Sequence, residues 1–283
     1  MRWWRRLHDA QWYVRWLVKG AAVGITLLLV TFPYPHLLVR NMQRWRNPNA
    51  LIEPAAPRLQ PMVRELRDQL TPSLPPRRTL RKVERYVCER ITYAWDWDTW
   101  GVADYLPTVD EVLDAGHEDC DGRAVIAASL LRALGYKADL VSDFAHVWVR
   151  TDKGELMSPG KRKSIVASDR RGAQIRWKTL SNLPRAMAYG VSPFPLWREL
   201  IVLTVVWLAL LRPGIGRAYA AVGALLLIEG LLKLRLGGHD WRHPILWLQL
   251  VGAMEMVAAF VLLSAAGRRA ASQPSSGPPV PEA

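Results

Sequence analysis

The chain has 283 residues, half of them hydrophobic, and carries 38 Lys and Arg against 25 Asp and Glu for a formal net charge of +13. Two cysteines, Cys88 and Cys120, exclude a disulfide framework and leave the redox compartment open. The basic excess does not point to nucleic acid. The densest soluble patch, Lys161, Arg162 and Lys163 with Arg170 and Arg171 close behind, lacks interleaved aromatics and any nucleic-acid motif, which predicts a solvated or membrane-facing loop.

In chain order, the leader "MRWWRRLHDAQWYVRWLVK" alternates Trp and Arg, a composition suited to a helix among anionic headgroups, so membrane lipids are an expected partner. Residues 20–39 contain no Asp, Glu, Lys or Arg and are long enough to cross a bilayer core, which needs ~20 apolar helical residues. Pro33 and Pro35 should end or kink that helix near Thr31. The long leader and the lack of a small-x-small site favour a retained signal anchor over a cleaved peptide.

Residues 40–194 have the length of one domain. Apolar residues at helical spacing predict helices over 61–71 and 79–95, the second with a stripe of Val83, Val87, Ile91 and Ala94, and place Cys88 beside that stripe as a core residue. "TVDEVLDAG" (108–116) has a capping-box pattern from Thr108 to Glu111 and a closing Gly116. A helix then begins at Cys120. Strand-like runs follow at 137–143, 146–151 and 155–158. A turn of Asp152, Lys153 and Gly154 would set Thr151 opposite Glu155 and Trp148 opposite Ser158. Helices followed by an antiparallel sheet make an α+β domain with a cleft between its layers.

Three more apolar blocks occupy 195–211, 218–232 and 244–266. Read as spans, they give four crossings in all, with Arg198 and Glu199 at the interface and Glu229 inside the bundle; read otherwise, they form a buried helical hairpin of a soluble domain. Glu229 and Glu255 also raise a transport path, against which stands the lack of a partner base. "HDWRH" (239–243) imitates a zinc helix, but Gly237, Gly238 and Pro244 predict a loop. The parts are thus a leader and first span (1–39), the α+β domain (40–194), a membrane domain (195–267) and a disordered tail (268–283). With the N-terminus cytoplasmic, nine basic residues lie in inside segments against three outside, which makes the chain a multi-pass membrane protein with an extracytoplasmic domain.

Cys120 raises the question of a nucleophile. At a helix N-terminus the free N–H groups and the dipole favour a thiolate, and a strand histidine, His146, can serve as general base. The residues alone also allow a small buried cysteine and a structural histidine.

The stretch "YLPTVDEVLDAGHEDCDGRAVIAASLLRALGYKADLV…AHVWV" resembles the transglutaminase-like superfamily, and "DWDTWGVADYLPTVDEVL…EDCDG" is similar to its bacterial cysteine proteases. The resemblance, over about residues 78–160, implies a papain-like α+β fold with Cys120 as nucleophile and His146 as base. Ser158 stands at the position of the family's aspartate, in "GELMSPG". Asp152 lies too far along its strand to replace that aspartate, whereas Asp143 and Asp169 could approach through loops. Trp97 and Trp100 are candidates for the oxyanion hole or for aromatic cover of the cleft. Asp119 can cap the helix, and Asp121 can favour its dipole while pointing away from the sulfur. The alternative, implied by the bacterial proteases, is that Asp119 and Asp121 bind calcium; no other cofactor is required. The expected activity is hydrolysis of a peptide or isopeptide amide in a protein or peptide substrate. The rival expectation is a catalytically inactive binding or scaffold module in the membrane.

Overall fold

The computed structural model describes residues 6–8, 10–71, 73–143, 145–158, 164–169, 172–175, 177, 190, 192–240 and 243–272. The basic patch at 161–163 and 170–171 lies outside the described residues, as do the first five positions and the tail from 273. Two compact units emerge: Thr31–Gly190, and a discontinuous one of Met1–Val30 with Val191–Ala283.

Helix α1 (Trp12–Thr31) stops where the two prolines predict. The chain then restarts as a separate helix, α2 (Pro35–Trp45), with proline in its first turn, so the apolar segment 20–39 is divided rather than continuous. Buried Asn41 fixes α2: its Nδ2 donates to the Asp104 carbonyl (3.0 Å) and carboxylate (2.8 Å), and its Oδ1 accepts from the Leu106 amide (3.0 Å). Two short 3-10 turns lead to α3 (Gln60–Gln69) and α4 (Pro76–Arg90). The α4 stripe is buried as predicted at Val83, Val87 and Ile91. Cys88, however, is exposed, because it faces away from that stripe.

After the single turn α5 (Asp96–Thr99) comes α6 (Val109–Ala115). Its capping box forms as read: Thr108 Oγ1 accepts from the Glu111 amide (3.3 Å), and Glu111 accepts from the Thr108 amide (2.8 Å). Gly116 closes the helix at φ 70°, in the left-handed region that glycine tolerates. Helix α7 (Cys120–Ala133) is the centre of the domain, fully buried from Ala124 to Leu131 and packed on β1 (Ala138–Ser142) and β2 (Val147–Thr151) as well as on α3, α4 and α6. That packing explains why its apolar residues run all round the helix instead of along one face.

Strands β3 (Gly154–Leu156), β4 (Val166–Asp169) and β5 (Gly172–Ile175) complete an antiparallel sheet in the order β3-β2-β1-β4-β5. The predicted α+β layout is present, but the β2–β3 register differs by one residue. Thr151 pairs with Gly154, Arg150 with Glu155 and Val149 with Leu156, because only Asp152 and Lys153 form the turn. Thr151 Oγ1 closes it, accepting from the Lys153 amide (3.1 Å) and donating to the Gly154 carbonyl (2.8 Å). Pairing with β2 stops at Leu156, so Ser158 lies beyond the ladder and the register does not set its face.

In the discontinuous unit α8 (Leu196–Leu210), α9 (Arg217–Gly238) and α10 (Leu246–Ser272) follow. Helices α9 and α10 pair closely at glycines: a Cβ on Gly230 would lie 2.7 Å from the Gly252 carbonyl oxygen. Among the described residues two helices are long and apolar enough to cross a membrane, Trp12–Thr31 and Leu246–Arg269. At 15 residues α8 spans only about 22 Å, and α9 carries Glu229, Lys233 and Arg235. The charges are placed differently from the expectation. Glu229 is exposed, whereas Glu255 is mostly buried, and Lys233 pairs with both, supplying the base that the sequence reading missed. Arg198 is buried and donates to the Val30 carbonyl (3.2 Å), while Glu199 pairs with Arg235. Of the zinc-like segment, the described residues 239, 240 and 243 are not helical: α9 ends at Gly238 and the His243 side chain is exposed.

Candidate active site

Four pieces of chain converge on the start of α7. Thr92 and Ala94 run beside His117 and Glu118, with the Glu118 amide on the Thr92 carbonyl (2.9 Å) and the Ala94 amide on the Glu118 carbonyl (3.3 Å). This brings the aromatic run Tyr93, Trp95 and Trp97 to the site, where Trp95 and Trp97 stack at 4.9 Å. Trp100 is tied down differently. Its indole N–H donates to Glu118, so it is engaged with a buried carboxylate rather than presented as an oxyanion donor.

Asp119 caps α7 as read, accepting from the Asp121 amide at 2.9 Å. Asp121 does not point away from the sulfur. The Cys120 thiol donates to Asp121 Oδ1 at 3.1 Å. Burial, followed by the charges of Asp119 and Asp121, pushes the Cys120 thiol well above its ordinary range, while a hydrogen bond from the Val147 amide acts in the opposite direction. These effects act against the helix terminus, which favours the thiolate. A terminus contributes ~0.3–1 kcal/mol, which the loss of hydration and two adjacent carboxylates outweigh.

That Val147 amide places the start of β2 at the sulfur, and His146 is the residue before it. The His146 ring stacks on Trp148 at 6.1 Å, and its Nε2 lies 2.7 Å from the Met157 carbonyl oxygen. A carbonyl only accepts, so Nε2 carries a proton. Ser158 donates to Glu155 Oε2 (2.9 Å), which also accepts from Trp148 Nε1 (3.1 Å). Of the two aspartates that could approach through loops, Asp143 is buried and accepts from the Ala145 amide (3.2 Å). Asp169 lies three residues beyond Val166, away from the Ser142 end of β1 by roughly 10 Å.

A group of acids surrounds the cysteine. Asp96, Glu118, Asp119 and Asp121 are buried, and Asp104 joins them with hydrogen bonds from Asn41 and Trp45 (3.2 Å to the latter). No ion pair among the described residues involves Asp96, Glu118, Asp119 or Asp121. Burial is the largest cause that raises each carboxyl, with mutual repulsion adding to it: Asp119 is pushed up to about 7, Glu118 to about 8, and Asp96 and Asp121 well above the carboxylate range. Oxygens of Asp96, Asp104 and Asp121 lie within 4.8 Å of one another, as do those of Asp96, Glu118 and Asp119. Asp96 Oδ1 and Asp121 Oδ2 are buried without a hydrogen-bond partner. Such carboxyl oxygens with orphaned lone pairs could hold a metal ion, which would take the place of the protons that burial keeps on them. Asp119 and Asp121 are the acids expected from the sequence; Asp96 and Asp104, both displayed in "DWDTWGVADY", join them only through the fold.

No curated protein and no solved structure matches the chain. Residues 64–159 match the family model of the transglutaminase-like superfamily, and the helices with their five-stranded antiparallel sheet fit a transglutaminase-like fold.

Proposed function

We propose that the chain is a membrane-bound thiol hydrolase of transglutaminase-like type that cleaves a peptide or isopeptide amide in a protein substrate through Cys120 and His146. The observation that carries this reading is the match of residues 64–159 to the transglutaminase-like family model, which spans Cys120 at a helix start and His146, whose Nε2–H is committed to the Met157 carbonyl. In the reaction His146 Nδ1 takes the thiol proton as the sulfur bonds to the amide carbon. The proton passes to the leaving amine as the C–N bond breaks, which leaves a thioester. Water then attacks, gives a proton to His146 and releases the acid, and the proton returns to Cys120. The Cys120 backbone N–H, with Trp97 as a side-chain candidate, is the proposed oxyanion donor. Preference for hydrolysis over cross-linking rests on the likeness of "EDCDG" and its upstream segment to the bacterial proteases.

Asp119 and Asp121, extended by Asp96 and Asp104, are the proposed calcium ligands. When bound, calcium supplies positive charge that offsets these carboxylates and favours the thiolate. Anchoring is assigned to α1 and α10, with α8 and α9 completing a multi-pass domain among membrane lipids. The basic residues flanking these helices support an extracytoplasmic α+β domain.

The test is labelling of the full chain by a cysteine-directed electrophile in a Cys88→Ala background, since Cys88 is exposed. Cys120→Ala should abolish labelling, and His146→Ala should slow it by about 10²-fold, a typical general-base contribution. Equal labelling of all three proteins would sink the proposal. A second reading, the silent binding module, draws on the raised thiol. It prevails if folded wild type stays unlabelled with and without calcium.

A further inference from the structure

We infer that Glu84 is a positioning residue for the thiol chemistry, acting through a strained Met157 that supplies the orienting acceptor for His146. The inference rests on the Cys120–His146 reading above. Among the described residues Met157 is the one non-glycine residue with a positive φ, 56°. For a residue bearing a Cβ this conformation is unfavourable and persists only where surrounding contacts impose it.

Both ends of Met157 are held. Its amide donates to Glu84 Oε1 on α4 at 3.2 Å, and its carbonyl accepts from His146 Nε2 at 2.7 Å. Pairing of β3 with β2 ends one residue earlier, at Leu156 with Val149. A strand continued through 157 would follow the β2 ladder. The left-handed turn, held by Glu84, instead commits the carbonyl to the imidazole. Ser158, standing where the family has its acid, is engaged with Glu155.

A neutral carbonyl thus does the orienting, and α4 fixes the carbonyl in place. Because the acceptor is a backbone atom, its direction depends on the φ of Met157, and because φ is unfavourable, it depends on Glu84. The effect on chemistry is selection of one tautomer: the proton stays on Nε2, which makes Nδ1 the nitrogen that takes the Cys120 proton.

The experiment compares Glu84→Leu and Glu84→Gln with wild type and His146→Ala, in full-length protein carrying Cys88→Ala. Two quantities are read: the Cys120 labelling rate and the ¹⁵N signals of the His146 ring. Glu84→Leu should label about ten-fold more slowly and lose the distinction between the two ring nitrogens. Glu84→Gln keeps an acceptor oxygen and should stay within about two-fold of wild type, a separation that general-base effects of ~10²-fold make readable. If Glu84→Leu labels and titrates like wild type, while wild type still exceeds His146→Ala, this inference is overturned and the Cys–His reading stands. If wild type equals His146→Ala, that reading itself fails. Should Glu84→Leu not fold, Met157→Gly, which tolerates positive φ, should retain the rate, and Met157→Val, whose β-branching resists it, should lose it; equal rates in those two overturn the inference.

Discussion

Cys120 stands where two residue-scale effects oppose each other. The start of α7 favours an anion, but desolvation and the carboxylates of Asp119 and Asp121 disfavour one, and the second effect is larger. The same balance acts on the acids. Asp119 at about 7 and Glu118 at about 8 bind protons in the folded chain at pH values where the unfolded chain, near about 4, has released them. Stability contributed by their protonated forms is therefore present at acid pH and lost as pH rises through 7 and 8. In chelator the melting temperature should fall between pH 5 and 8, and calcium or Asp121→Asn should flatten that fall. A melting temperature independent of pH in chelator would contradict the burial of these acids. Calcium should also raise Cys120 labelling at neutral pH, and a rate unchanged by chelator would remove calcium from the chemistry.

At the scale of elements, α6 and α7 were legible because their signals are local. Thr108, Glu111 and Gly116 mark both ends of α6, and Asp119 marks the start of α7. Replacing Thr108 with alanine should cost about 0.5–2 kcal/mol, the usual value of an N-cap, measured by denaturant unfolding. Gly122 is a sharper test. A Cβ there would meet the side chains of Glu118 and Val112, the latter at 2.8 Å, and Glu118 is buried and bonded to Trp100. Gly122→Ala should destabilise the domain by about 1–3 kcal/mol, as overpacked core sites do, and a neutral result would mean that Glu118 can move aside. The β2–β3 turn was less legible. A glycine after Asp152 and Lys153 serves equally as the last residue of a turn or the first of a strand, so the register was open until Thr151 was seen to close on Gly154. Ser158 was assigned its place from that register, but it lies beyond Leu156, where the pairing ends.

For the whole molecule, apolar surface argues for a membrane. Leu17, Leu250, Met254 and Val257 are each more than 60% exposed on α1 and α10, the two helices long and apolar enough to cross a bilayer. The full chain should remain in the membrane pellet after an alkaline carbonate wash and leave it only with detergent. Recovery in the wash would show that these faces are covered by protein rather than lipid.

The amino-acid sequence by itself determined the α+β order, the helix that starts at Cys120, the candidate pair Cys120 and His146, and the two most apolar helices. These depend on periodicity, caps and composition, which act within a few residues. Only the tertiary structure decided what surrounds the pair. Burial opposed a thiolate at the helix start, Asp96 and Asp104 joined Asp119 and Asp121 from more than ten residues away, and the left-handed Met157 set its carbonyl against His146. Desolvation and long-range pairing are properties of the packed chain, and no local pattern encodes them.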